Sequence, residues 1–457
     1  MKSIGLDIGT TTVCGIVINA DDGKVFDAIT RANDSAIKGK EEFAKTQDVE
    51  QIINICNQIV SDLRAKYDDI TTIGITGQMH GILYVNLKGE AVSPLYSWQD
   101  ERGNQQYKEG QTYSEYLSVL TGYQMATGYG LVTHFYNWKN DCIPKEARYL
   151  CTIADYVAMR LSGADQPLMH KSMAASIGLF DIEKGIWDEA AIAKAGIEMK
   201  YLPAVSEKET TYEEKIDEPK VSIALGDNQA SFLGAVNAES NILVNIGTGS
   251  QISVFTPIYD GSVGIEYRPF IENTYLMVGA SLCGGASYAM LKKFYEEVLI
   301  LFGGEIPGNM YDVMNQAADR IYSQEDSLRI DTRFSGTRTN PKERGSISQI
   351  GTKNFAPDAL TLGMLRGICE ELYLIFEQIP EQMRESKAII GSGNGVRRNP
   401  VLQQIVADGF QRNLAIPVFS EEASYGAALH SLYCSGRFKD IEELKGVIQT
   451  KQVKRPL

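Results

Sequence analysis

Asp7 stands in Ile4-Gly5-Leu6-Asp7-Ile8-Gly9-Thr10-Thr11-Thr12, where apolar flanks read as strands and a glycine with three threonines marks the chain reversal. Such a turn holds anionic oxygens with backbone N–H groups and hydroxyls, here from Gly9, Thr10 and Thr11, without any cationic side chain. This is phosphate-cradle chemistry. A carboxylate beside phosphates repels them, so Asp7 makes chemical sense facing a hydrated divalent cation through its waters. The same strand, Gly-Thr turn, strand pattern returns about half the chain later at Asn245-Ile246-Gly247-Thr248-Gly249-Ser250. Repetition at that spacing predicts two similar domains, 1–240 and 241–457, each carrying one phosphate hairpin and facing a shared ligand cleft.

Further polar residues fall where predicted strands end. The strand over 70–76 runs into Gly77-Gln78-Met79-His80-Gly81, which places His80 to meet a ligand rather than fill a core. Trp98-Gln99-Asp100-Glu101-Arg102 sets an aromatic beside an acid and a base on a loop, a combination suited to a sugar's C–H face and hydroxyls. The strand over 221–225 leads through Gly226 into Asp227-Asn228 and a helix, so Asp227 sits at a helix N-terminus, where the dipole favours an ionised carboxylate. A plain helix cap is the alternative reading of that residue. In the second half, Gly284-Gly285 opens a helix closely enough to admit a nucleotide, and Gly391-Ser392-Gly393-Asn394 ends a strand where an adenosine could lie on a helix N-terminus.

These residues need α/β scaffolding. Residues 50–60 carry apolar side chains at helical spacing ahead of the 70–76 strand. Asp155 reads as an N-cap, and 165–220 as a helical insertion with a connecting loop; the domain boundary falls at about 237–241. The small-residue helix after Glu421 reads as packing between domains. The 331–345 loop receives no role.

At 457 residues, 44% hydrophobic and 22% charged, the chain is long enough for two or three domains with sizeable cores. A net charge of −14 argues against nucleic acid as the main partner, while a single nucleotide remains compatible. Seven cysteines without a C-x-x-C pair suggest neither zinc site nor disulfide framework and fit a reducing cytoplasm. No signal peptide and no long apolar run is seen, so a cytoplasmic protein without membrane contact is expected.

The paired hairpins resemble those of the actin, Hsp70 and sugar-kinase superfamily, and nearly the whole chain resembles the FGGY carbohydrate kinases. That resemblance implies two ribonuclease-H-like α/β domains, with sugar mainly on the first and ATP mainly on the second, and Mg²⁺ as cofactor. By resemblance Asp227 is the general base, Asn228, Met79 and His80 are sugar contacts with Asp100 and Arg102, and the three glycine-rich segments of the second domain hold ATP. Gln99 in W-Q-D-x-R, with G-S-G-x-x-x-x-R-N from Gly391 to Asn399, is most similar to the sedoheptulokinase branch. The implied reaction is phosphorylation of a primary hydroxyl of a ketose, sedoheptulose ahead of xylulose or another pentulose or polyol. An ATP-driven conformational protein of the actin or Hsp70 type shares both hairpins and is the reading of another class, but needs no polyol pocket. Oligomeric state is left open by the resemblance, a homodimer included.

Overall fold

The computed structural model describes residues 1–39, 41–213, 218–238, 240–261, 264–324, 328–337, 340, 342–385 and 387–457. Glu239 of the expected boundary, and Arg338 and Pro341 of the unassigned loop, lie outside them. The chain forms two units, one of residues 1–234, 268–275 and 421–448, the other of 235–267, 276–420 and 449–457.

In the first unit, strands β1 (Lys2–Ile8), β2 (Thr12–Asn19) and β3 (Val25–Ala32) form an antiparallel meander. Strands β4 (Ile70–Gly77), β5 (Lys220–Val221) and β6 (Leu225–Gly226) add in parallel, β4 against β1 and the other two against β4. Ile4, Leu6, Ile8, Val13 and Val17 make a continuous apolar interior, as expected for strands covered on both faces. Helix α1 (Val49–Lys66) covers one face with Val49, Ile52, Ile53, Cys56, Ile59, Val60 and Leu63. It starts where the Asp48 carboxylate accepts the Gln51 N–H, and its last turn carries Arg64 and Lys66, which favour the negative end of the helix.

Helix α2 (Ile153–Ser162) shows a difference from the sequence reading. Its N-cap is Thr152, and Asp155 is the third helical residue, reaching back in a capping box. The carboxyl is fully buried, accepts from Thr152 N and Oγ1 at 3.2 and 2.7 Å, and has one oxygen with no hydrogen-bond partner. Burial pushes its pKa up to about 7. The folded chain thus keeps a proton that an unfolded Asp loses near pH ~4. Folded protein binds more protons across that window, so the contribution of Asp155 to stability falls as pH rises from about 4 to about 7. Asp155→Asn keeps the cap and removes the ionisation. Its Tm by calorimetry should exceed that of the parent near pH ~8 and match it near pH ~4. A variant less stable at both values would contradict this.

In the second unit, β7 (Ile242–Ile246) and β8 (Ser250–Thr256) form the second hairpin, within the sheet order β9 (Glu266–Pro269), β10 (Tyr275–Ser281), β8, β7, β11 (Ala388–Ser392), β12 (Asn413–Pro417), β13 (Thr450–Lys454). β11 runs parallel to β7, as β4 does to β1. The doubling read from the two hairpins is therefore a doubling of the sheets around them. Helix α3 (Lys171–Ile177) and α4 (Asp227–Ala235) precede this unit's sheet; α5 (Gly284–Leu301), α6 (Pro357–Phe376), α7 (Gly393–Arg398) and α8 (Pro400–Phe410) follow its hairpin.

Helix α9 (Glu422–Cys434) is the one expected to pack between domains. It belongs to the first unit and lies against β1 and β4. A Cβ at Gly74 would meet Ala427 O at 1.8 Å, so only glycine lets strand and helix backbones approach so closely. Among the described residues, no helix is long and apolar enough to cross a membrane, and all seven cysteines are free.

Candidate functional site

Parallel pairing brings the carboxyl ends of β1, β4 and β6 into register: Asp7 lies opposite Thr76, Ile8 opposite Gly77, and Gly226 opposite Gly77 on the other side. Crevices beyond the carboxyl ends of parallel strands are where open α/β sheets bind ligands. The chain leaves these ends as Gly9-Thr10-Thr11, Gln78-Met79-His80 and Asp227-Asn228, so the sequence candidates of the first unit are brought together by strand register.

The Gly9 turn closes with Gly9 N donating to Thr12 O at 2.9 Å. Side chains occupy the turn's carbonyls: Asn33 Nδ2 donates to Gly9 O at 2.8 Å and Gln47 Nε2 to Thr10 O at 3.0 Å. Gln78 Nε2 in turn donates to Gln47 Oε1 at 2.8 Å, tying the turn to the segment after β4. Trp98 is exposed, at 48%, and its indole N–H reaches Thr10 Oγ1 at 2.9 Å.

Asp7 is half-buried and crowded by carboxylates. Desolvation, then Asp227, then Glu421, push its pKa up to about 7. Glu421 precedes α9, and nothing in the sequence near it announces an approach to Asp7. A cation beside Asp7 would relieve the repulsion that Asp227 and Glu421 exert on it, and carboxylate oxygens are ligands that suit Mg²⁺. Asp227 is also pushed up, chiefly by burial, against the opposing charges of His80 and Arg268. This corrects the expectation that the helix N-terminus keeps it readily ionised. A helix end contributes only about 0.3–1 kcal/mol at exposed sites, and desolvation exceeds it here.

His80 is fixed from two sides. Its ring stacks on Tyr129 with centroids 4.9 Å apart and planes 7° off parallel, and Nδ1 lies 2.7 Å from Ser176 O. A carbonyl only accepts, so Nδ1 carries the proton and Nε2 of a neutral ring is an acceptor. Ser176 Oγ also donates to Met79 O, while Ser172 Oγ accepts the Gly226 N–H at 2.9 Å. One seven-residue helix, α3, thereby sets both the His80 tautomer and the peptide just before Asp227. Met79 is 96% buried, an apolar wall more than an exposed contact, and Asn228 is buried beside Asp227. Arg268, Glu421, Ser172 and Ser176 had no motif to flag them.

Asp100 and Arg102 close on each other. Arg102 Nε donates to Asp100 Oδ1 at 2.6 Å and Nη2 to Oδ2 at 3.1 Å, and Lys45 N reaches Oδ2 at 3.0 Å. The guanidinium lies 4.1 Å from the Tyr96 ring centroid and donates to Asn137 Oδ1. Both side chains are buried, so the structure brings them under the Trp98 loop rather than into an open pocket.

In the second unit, Gly247 N donates to Gly249 O at 3.0 Å. Gly285 N and Ala286 N of α5 donate to Gly247 O and Thr248 O at 2.8 and 2.9 Å. Gly285 and Ala286 therefore seat the helix on the hairpin through their amides, and a Cβ at Gly284 would meet Gly249 O at 2.5 Å. Gly393, with φ at +81°, lies where a Cβ would come 2.5 Å from Ile246 O. Gly391 to Asn394 thus ends beside the Gly247-Thr248-Gly249 turn, with Asn394 exposed.

The N-terminal domain of the FGGY family of carbohydrate kinases matches residues 3–234, and the C-terminal domain of that family matches 243–434. A sedoheptulokinase of Mus musculus is 30% identical, over 93% of this chain and 96% of its own length. A gluconokinase of Bacillus licheniformis is 23% identical over 97% of this chain and 90% of its own. The crystal structure of a xylulose kinase from Rhodospirillum rubrum, 17% identical, superposes with a TM-score of 0.85 over 100% of this chain and 94% of that one, a likeness of fold. The doubled sheet is accordingly the two-domain α/β fold of FGGY kinase structures.

Proposed function

The chain belongs to the FGGY family of carbohydrate kinases and is a sugar phosphotransferase, and from that premise we propose that it phosphorylates a primary hydroxyl of a ketose, sedoheptulose to sedoheptulose 7-phosphate. The observation that carries the reaction is Asp227, a carboxylate with raised proton affinity at a strand end beside His80 and Asn228. The choice of sugar is supported by the sedoheptulokinase relative and by the W-Q-D-x-R and G-S-G-x-x-x-x-R-N segments.

Asp227 accepts the hydroxyl proton as the oxygen attacks phosphorus; a base whose pKa is moved toward the working pH does this more effectively than an ordinary carboxylate. His80 Nε2 hydrogen-bonds a sugar hydroxyl, Asn228 offers its amide, and Met79 lies against the carbon skeleton. Asp100 and Arg102 brace the loop that presents Trp98. Gly9 and Gly247 close their turns with their own N–H groups, and Thr10 and Thr11 of the first turn and Thr248 and Gly249 of the second offer N–H groups and hydroxyls to phosphate oxygens. Gly391, Gly393 and Asn394 serve the adenosine. Asp7, with Glu421 nearby, would hold Mg²⁺ through water; when bound, the ion neutralises phosphate charge.

The test is ADP release from MgATP with sedoheptulose, xylulose, gluconate, glycerol or no sugar. The expected result is the highest kcat/KM with sedoheptulose. A higher value with xylulose or gluconate would replace the substrate, and turnover equal with and without every sugar would overturn the ketose reading.

A further inference from the structure

Away from the strand ends, in the first unit, His170, Glu209 and His430 converge although they lie 39 and 221 residues apart in the chain. Glu209 Oε1 lies 3.1 Å from His170 Nε2, and its Oε2 lies 2.7 Å from His430 Nε2. Cys434, one turn after His430 on α9, places Sγ 3.4 Å from the same His430 Nε2. The side chains of His170, Glu209 and His430 are 3%, 11% and 0% exposed, and one donor atom from each lies within 4.8 Å of the others. The geometry points to a transition-metal site of the zinc class, formed by His170, Glu209, His430 and Cys434.

Donor chemistry selects the ion. Two imidazoles, one carboxylate and one thiol suit Zn²⁺, whereas Mg²⁺ takes oxygen ligands in octahedral array. Bonds of about 2.0–2.3 Å arranged tetrahedrally put neighbouring donor atoms about 3.3–3.7 Å apart. The separations of 2.7, 3.1 and 3.4 Å lie within that shell or up to about 0.6 Å short of it, so the carboxylate must draw back from His430 to admit the ion. Without an ion, each Nε2 carries a proton toward Glu209; His430 Nδ1 is buried with no hydrogen-bond partner, as an acceptor in that state and as an N–H in the ion-bound one. His170 Nδ1 accepts the Ser172 N–H at 3.0 Å, capping α3, and lies 2.7 Å from Ser172 Oγ, so a proton moved to Nδ1 would pass to Ser172 Oγ at the expense of that cap bond.

Binding requires the ring protons to leave both Nε2 atoms for the Nδ1 positions and the Cys434 thiol to release its proton to solvent, with no redox change. A cavity of about 300 Å³, bordered by His170, Glu209, Lys171, Glu272 and Tyr433, gives the ion an entry path. The bound ion would join α3, the Glu209 loop and α9. Because Ser172 Oγ also holds the Gly226 N–H, the site would brace the peptide preceding Asp227.

The experiment uses the full chain, purified without a histidine tag. Zinc content is measured by mass spectrometry, and the chelator-stripped protein is titrated with Co²⁺. Expected are one zinc per chain and a saturable Co²⁺ spectrum with tetrahedral ligand-field bands and a thiolate charge-transfer band. Cys434→Ser should lose the charge-transfer band alone, and Glu209→Gln should lower Co²⁺ affinity by at least ~10-fold. A folded parent that retains no zinc and gives no saturable Co²⁺ spectrum would overturn the site and leave a hydrogen-bonded His-Glu-His clamp. A Co²⁺ spectrum unchanged in Glu209→Gln would overturn it equally, and both readouts are independent of which sugar is phosphorylated.

Discussion

Asp227→Ala lowers kcat by about 10²–10⁴ while leaving the protein folded and able to bind nucleotide, the range by which a positioned general base accelerates proton transfer. Two features argue for a base here rather than a structural cap. Burial raises the proton affinity of Asp227, and His80 and Arg268 supply opposing charge. A residue that served only to start α4 would be replaced by Asn at little cost. Asp227→Asn keeps size and hydrogen bonding yet cannot take a proton, so it should lose kcat nearly as much as the alanine variant.

The parent's acid limb in kcat should also lie above the ordinary carboxylate value of about 3.9, because the folded pKa is raised and the base is lost as pH falls through it. Steady-state rates across pH, with circular dichroism as the folding control, check both points. An Asn variant with nearly full kcat would remove Asp227 from the chemistry.

Arg102→Met destabilises the protein by about 3–5 kcal/mol, the cost of leaving one member of a buried ion pair without its partner. The Asp100 carboxylate is fully buried, and Arg102 supplies its charge compensation through both Nε and Nη2. The lost stacking on Tyr96 adds to the effect. Denaturant unfolding would show the loss as a lower midpoint. The double variant Asp100→Leu with Arg102→Met should be less destabilised than the sum of the singles, since removing both charges removes the uncompensated one. Additive singles would mean that the pair is not coupled. Any change in sugar KM should be secondary to the stability loss, because the pair's hydrogen bonds run to Asn137, Lys45 and each other.

The sequence by itself determined what local geometry encodes. Both Gly-Thr hairpins are written in runs of about nine residues, since a Gly-Thr turn between apolar strands is a local hairpin signal. Their repetition was enough to expect two like sheets, and the polar residues following 70–76 and 221–225 lie at strand ends as read. Strand register alone then brings Asp7, His80 and Asp227 to one end of the sheet.

Tertiary structure decided everything that rests on partners distant in the chain. Gly284 and Gly285 have the composition of a ligand turn, and their close approach and the Gly285 amide also serve the hairpin, a use that no spacing in the sequence announces. Asp100 and Arg102 read as open polar groups until Tyr96, Asn137 and Lys45 close around them. Glu421 and the helix after it return to the first unit across almost two hundred residues, setting the charge around Asp7 and bringing His430 to His170. Turns are fixed by torsions within a few residues, whereas proton affinity and side-chain pairing depend on what folding buries and which distant charges it brings near.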